Sequence, residues 1–222
     1  MQRIRQTQIT SELLEYLEAN FTAEDDFLNE LNVEAWEKEK IPQISITGYQ
    51  ANFLQFLVKS INAKNILEIG TLAGYSAIAL IRAAGNDAKL LTVEKNLHHF
   101  EFAKNKINQA GFAHQIEVVN ASAKDFIKEY KPAEKLDFIF MDADKSEYYK
   151  CLLALTPHLR KGGLLVADNA FAFGYLLNSA PENNPLNAKS MLGFHKKLLL
   201  LEEYFTTLVP IGDGLLVSTK IK

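Results

Sequence analysis

Apolar positions recur at helical spacing in the first part of the chain and then fall into short runs. Leu13, Leu14 and Leu17 share one helix face. Thr22 followed by Asp25 reads as an N-cap opening a helix that continues to about Lys40. Thr47 caps the next helix, with Phe53, Leu54, Leu57, Val58 and Ile61 as its buried stripe. From residue 63 the pattern alternates. Strands are predicted at 65–69, 89–94, 115–120, 136–141 and 163–167, and helices at 75–84, 97–110, 123–130 and 147–159. Such alternation implies an α/β fold, a mostly parallel sheet with helices on both faces. Residues 199–209 and 215–220 are joined by Pro210-Ile211-Gly212-Asp213-Gly214, turn chemistry that predicts an antiparallel pair. The stretch 174–190, rich in Asn and Pro, reads as a long surface loop. No repeat or linker interrupts the chain. It reads as one domain, with residues 1–62 as a helical cover and 63–222 as the α/β core.

Composition narrows the function classes. The chain has 222 residues, 48% hydrophobic and 23% charged, so it can bury a full core. A net charge of −3 gives no general attraction to nucleic acid. The single cysteine, Cys151, excludes an intramolecular disulfide and any CxxC metal site. The first twenty residues lack the apolar core of a signal peptide, and no apolar run approaches a membrane span. The expected location is the cytoplasm, away from membranes.

The first candidate site is the turn after the strand at 65–69. The run Asn65-Ile66-Leu67-Glu68-Ile69-Gly70-Thr71-Leu72-Ala73-Gly74-Tyr75-Ser76 takes an apolar strand through a glycine-bearing turn into a helix. Gly70 permits tight backbone geometry and room for a ligand against the main chain. The next strand ends at Glu94, where a carboxylate can accept ribose hydroxyl hydrogen bonds. Only two glycines are present, so this is not the three-glycine dinucleotide fingerprint. Glu68 just before the turn would repel a pyrophosphate and suits a cationic group, such as the amino group of a methionyl moiety. Were Gly70 and Gly74 only shaping a turn, Glu68 and Glu94 would not need to fall in the same βαβ frame.

The second candidate is acidic. The strand at 136–141 runs into Asp142-Ala143-Asp144-Lys145, and the strand at 163–167 into Asp168-Asn169. Both lie at carboxyl ends and face the same rim as Gly70 and Glu94. Asp142, Asp168 and Asn169 offer oxygen ligands without a thiolate, a set for Mg²⁺, Mn²⁺ or Ca²⁺. A dication would stabilise a phenolate, and two adjacent hydroxyls could chelate it, which favours catechols. Lys145 is spaced to take the proton. Taken singly, Asp144 reads as a turn or cap residue, Lys145 as a solvated helix-start residue, and Asp168-Asn169 as turn chemistry. Their joint placement at two strand ends favours the metal reading.

At these residues the chain resembles the cation-dependent O-methyltransferases, the family of caffeoyl-coenzyme A and catechol O-methyltransferases. The resemblance runs through LEIGTLAGYS, FMDADKSEYY, LLVADNAF and LVPIGDGLLVS and covers nearly the whole chain. It implies a Rossmann-like methyltransferase fold with a seven-stranded sheet, S-adenosyl-L-methionine as cofactor, a divalent cation, and a homodimer. It places Asp142, Asp168 and Asn169 as metal ligands and Lys145 as the base. It places Glu68, Gly70 and Ser76 near the methionyl part with Asp142 approaching the amino group, Leu72 among the cofactor contacts, Glu94 on the ribose and Ser122 by the adenine. The segment up to about Lys40 is expected to cover the acceptor site or a dimer interface. Phe194-His195 stands where the plant enzymes often carry Phe-Asn; His195 reads as structural or solvent-facing. Phe171, Phe173 and Tyr175 are candidates for an aromatic acceptor pocket. The leading expectation is transfer of a methyl group to a catechol-like small molecule. A bacterial relative methylates 5-hydroxyuridine in tRNA, which would need a basic patch around Lys59, Lys64 and 104–106. A third reading is a non-catalytic dimer that retains the cofactor site.

Overall fold

The computed structural model describes residues 7–172, 174 and 185–222. Three helices lead: α1 (Ser11–Asn20), α2 (Asp26–Glu37) and α3 (Gly48–Ser60). Strands and helices then alternate: β1 (Asn65–Ile69), α4 (Tyr75–Ala84), β2 (Lys89–Glu94), α5 (Leu97–Gln109), β3 (Ile116–Asn120), α6 (Ala123–Glu129), β4 (Leu136–Met141) and α7 (Tyr148–Leu155). A 3₁₀ turn (Thr156–His158) leads into β5 (Leu159–Ala167), and α8 (Pro185–Leu198), β6 (Tyr204–Val209) and β7 (Leu215–Lys220) follow. The strands form one seven-stranded sheet in the order β3-β2-β1-β4-β5-β7-β6. β7 runs antiparallel to both β5 and β6, and the remaining pairs are parallel. The predicted α/β class and antiparallel closing pair are therefore observed.

Period-two alternation divides the core between the two faces of the sheet. Ile66, Phe138, Phe140 and Val166 pack with Leu28, Leu31, Leu54, Val58, Ile78 and Ile81 of α2, α3 and α4. Leu67, Ile139, Met141 and Leu165 face Leu152 and Leu155 of α7 and Met191, Phe194 and Leu198 of α8. The central strands β1 and β4 are buried on both sides, which explains their nearly unbroken apolar runs. Among the described residues, no helix is long and apolar enough to cross a membrane.

Several boundaries differ from the pattern. Asp25, not Thr22, caps α2: its side chain accepts from Leu28 N at 3.0 Å, while Thr22 Oγ1 accepts from Glu24 N. α2 is also part of the main core through Leu28, Leu31 and Ala35, so it is more than a cover. Only α1 remains outside, with no buried residue and Leu14 exposed. The helix predicted at 147–159 stops at Leu155 because Pro157 cannot supply a helical N–H. β5 starts at Leu159, four residues before the expected strand; its register shifts past Gly162-Gly163 before rejoining β4. The predicted loop 174–190 overlaps α8, which begins at Pro185, since proline is tolerated in a first helical turn. Phe173, Tyr175 and the rest of that loop up to 184 lie outside the described residues.

Candidate active site

The strand carboxyl ends open into a cleft of about 780 Å³. Its floor is the turn between β1 and α4, which departs from ordinary backbone geometry: φ is +106° at Gly70, +49° at Leu72 and +89° at Gly74. A Cβ on Gly70 would lie 2.1 Å from the Asp142 carbonyl oxygen. Gly70 is thus required by the close approach of the two chain segments after β1 and β4, where the sequence pattern points to a ligand. Gly74 precedes α4 without a side-chain cap, leaving that helix's first amides beside Tyr75 and Ser76 at the cleft.

Leu72 holds its left-handed conformation while its N–H donates to Glu94 Oε2 at 2.9 Å. Asn96 N–H donates to Glu94 Oε1 at 2.8 Å. Two backbone donors therefore fix the Glu94 carboxylate at the cleft wall, each oxygen keeping further acceptor capacity. Glu68 has a different setting. It is fully buried beneath the cleft and does not line it. Thr71 Oγ1 lies 2.6 Å from Thr92 Oγ1, and Thr92 Oγ1 donates to Glu68 Oε2 at 2.6 Å. Glu68 Oε1 has no hydrogen-bond partner among the described residues. Burial pushes this carboxyl up to about 8, against the nearby Ser76 and Thr92 hydroxyls and with the Asp142 and Glu94 charges adding. An orphaned buried acceptor is costly and fits a cationic group brought by a ligand.

The acidic residues come together at the other end of the cleft. Lys145 Nζ donates to Asp142 Oδ1 at 3.0 Å and to Tyr148 Oη at 2.8 Å; Tyr148 in turn donates to the Met141 carbonyl. Lys145 is only 6% exposed, so it is no solvated helix-start residue. Asp168 is buried, and burial and the charge of Asp142 push its carboxyl well above the usual carboxylate range, with the Asn169 backbone N–H and Lys145 opposing. Asn169, at φ +59°, donates from Nδ2 to Asp213 Oδ2 at 3.2 Å. Asp144 accepts from Ser146 N and Oγ, the turn role its position implies. Among the described residues no three His, Cys, Asp or Glu side chains converge as a metal group. The set present is two carboxylates and an amide. A buried carboxylate (Asp168) beside a cleft-lining one (Asp142), with hard oxygen donors, fits a small dication that keeps part of its water shell.

Gly70, Leu72, Ser76, Glu94, Ser122, Asp142, Lys145 and Asn169 all line the one cleft. Asp168 and Glu68 stand immediately behind it. The Ser122 hydroxyl is committed to capping α6 through Asp125. Sequence reasoning missed Ile44 and Ile46, which wall the cleft from the segment between α2 and α3, and His99, whose imidazole is pushed below its ordinary 6.5 by burial. It also missed Gln50 and Asp213, which contact the acidic end from α3 and the β6–β7 turn. An apolar helical stripe and a P-I-G-D-G turn gave their elements but no sign of their partners. The lysines expected to form a basic patch are partly spent: Lys64 pairs with Asp87, and buried Lys106 pairs with Glu34. Phe194 stacks edge-on against Tyr148, while His195 Nε2 is buried without a partner among the described residues.

Residues 18–221 match the model of the O-methyltransferase family, and the chain belongs to that family. It is 31% identical to caffeoyl-CoA O-methyltransferase of Medicago sativa, over 91% of this chain and 85% of that enzyme. It is 39% identical to catechol O-methyltransferase of Niastella koreensis over 62% of this chain, a match that spans 63% of that relative's length. The fold superposes on the O-methyltransferase of Bacillus cereus, solved in complex with SAH (S-adenosylhomocysteine), with a TM-score of 0.84 and 27% identity, covering 93% of this chain and 96% of that one.

Proposed function

We propose that the protein transfers a methyl group from S-adenosylmethionine to one hydroxyl of a small catechol-like acceptor, with a divalent cation held by Asp142, Asp168 and Asn169. One observation carries the reading: a single cleft joins a nucleoside-type end built on Glu94 to an acidic end built on Asp142, Lys145 and Asn169, with Asp168 buried behind it. Family membership supplies the reaction class. The SAH bound by the Bacillus relative supports the cofactor, and the Niastella and Medicago enzymes support an acceptor of the catechol type.

S-adenosylmethionine supplies an electrophilic methyl group on sulfonium sulfur and leaves as S-adenosylhomocysteine. A divalent cation at the acidic end would favour the phenolate form of an acceptor, since a free phenol keeps its proton to near pH ~10. The chain's residues do the positioning, which is the larger part of catalysis for an in-line transfer. Glu94 accepts from the ribose hydroxyls. The uncapped amides of α4 receive the methionyl carboxylate, and Asp142, which lines the cleft, accepts from its ammonium above buried Glu68. In its neutral amine form, Lys145 Nζ keeps two N–H bonds for Asp142 and Tyr148 and uses its lone pair to take the proton of the acceptor hydroxyl, becoming the ammonium. Buried Ile46 shields one side of the cleft from water.

The test is a pH–rate profile of wild type and Lys145→Ala with a catechol and a simple phenol, with and without EDTA. The catechol should be methylated and the phenol poorly so. EDTA should abolish turnover, and Mg²⁺, Mn²⁺ or Ca²⁺ should restore it. The variant should be slower by about 10²–10⁴-fold and recover at high pH. Full turnover in chelator would remove the cation, and unchanged turnover in the variant would remove Lys145.

A further inference from the structure

We infer that Gln50, in the first turn of α3, is a positioning residue that sets the orientation of Asp168 at the acidic end of the cleft. The inference rests on the reading of Asp168 as a cation ligand and adds a residue to it. Gln50 is the third residue of α3, 4% exposed, and is separated from Asp168 by more than half the chain. Its Nε2 donates to Asp168 Oδ1 at 3.2 Å.

The direction of the Gln50 amide is fixed by chemistry. The Thr47 backbone N–H is a donor only, and it meets Gln50 Oε1 at 3.0 Å. The amide's other end must then be the NH₂, and that end faces Asp168. The reciprocal bond, Gln50 N to Thr47 Oγ1 at 3.2 Å, completes a capping box. A cap glutamine in an ordinary helix has one task. This one spends its second group on a buried carboxylate.

The far side of the slot is closed as well. A Cβ on Gly212 would fall 2.3 Å from Gln50 Cδ and 2.5 Å from both its terminal atoms. Gly212 belongs to the β6–β7 turn, where the next residue, Asp213, holds Asn169. The α3 cap on one side and this turn on the other therefore grip the adjacent residues Asp168 and Asn169. An amide locked at both ends permits one Asp168 rotamer and removes the side-chain reorganisation that ligand binding would otherwise cost.

The experiment is calorimetric titration of Mn²⁺ into the full chain saturated with S-adenosylhomocysteine. The variants are Gln50→Leu, Gly212→Ala and Thr47→Ala. Gln50→Leu should weaken Mn²⁺ binding about 10–100-fold, the range for losing a partner of a metal ligand. Gly212→Ala should do the same by displacing the amide from the opposite side, which keeps the inference testable if Gln50→Leu fails to fold. Thr47→Ala loses the hydroxyl half of the cap but leaves the amide in place, so its Mn²⁺ affinity should stay near wild type. Affinity for S-adenosylhomocysteine should be unchanged in all three. Wild-type Mn²⁺ affinity in Gln50→Leu and Gly212→Ala overturns the positioning role. Equal weakening in Thr47→Ala reduces it to helix capping and overturns it too. A wild-type protein that binds no Mn²⁺ overturns the cation reading itself, together with what rests on it.

Discussion

Glu68 shows how a single side chain can trade stability for binding. In water its carboxyl ionises near 4.5, whereas in the fold burial moves it to about 8. Below about pH 4.5 both folded and unfolded chains hold the proton and the group costs nothing. As pH rises towards 8 the unfolded chain loses the proton while the fold retains it. Stability therefore falls across that window, by ~1.4 kcal/mol for each step of one in pH. Glu68→Gln cannot ionise. In cofactor-free protein it should match wild type near pH ~4 and exceed it by on the order of a few kcal/mol near pH ~8, in urea unfolding curves. Its affinity for S-adenosylhomocysteine should fall near pH ~8 and much less near pH ~4, where the wild-type carboxyl is uncharged too. Identical pH dependence in the two proteins would mean that Glu68 is not the buried carboxyl described above. Sequence pattern places Glu68, Gly70 and Glu94 in one frame because strand, turn and strand are local in the chain. It cannot tell that Glu68 lies beneath the cleft or that Gly70 yields to the Asp142 backbone. Both facts depend on which strands become neighbours.

Elements are legible where their signals are short-ranged. The capping box Thr47–Gln50 is a three-residue signature, and α3 starts where the threonine implies. β1, β2 and β4 are visible as apolar runs because parallel strands in the sheet centre are covered on both faces. The entry to α2 is ambiguous in sequence because two capping residues compete within four positions, and only the bonds decide between them. Asp25 caps α2 and also pairs with Arg82 of α4 at 3.0 Å. Asp25→Ala should therefore cost about 1 kcal/mol or somewhat more, the loss of a helix cap. Thr22→Ala should cost less. Thermal unfolding of the two variants at neutral pH compares them, and a larger loss for Thr22→Ala would return the cap to Thr22. The start of α8 is hidden for another reason: Asn and Pro mark loops on average, while a helix can begin on a proline without losing a bond.

At the scale of the whole molecule, α1 is the element the fold explains least. It buries no residue, and Leu14, Tyr16 and Phe21 are exposed along with Ile9 before it. α1 is fastened to α3 by polar contacts, with Glu18 accepting from Tyr49 N at 2.9 Å. An apolar surface held in place this way is expected to be covered by a second copy of the chain. Light scattering at micromolar concentration should give the mass of a dimer, and Tyr16→Glu should lower it; a monomeric wild type would remove the dimer. The reversal of β7 has a separate consequence. Because this strand runs against its neighbours, the turn before it arrives at the rim where Asp168 and Asn169 stand, bonded through Phe171 N to Asp213 O and Ala170 N to Gly214 O. Exposed hairpin turns with glycines are where protein engineers graft peptides and open new termini, since the fold rarely notices. Here the fold would tolerate an insertion while the acidic rim would not. A graft at Gly212 is therefore a way to separate folding from chemistry, leaving a sheet that assembles around a site it can no longer close.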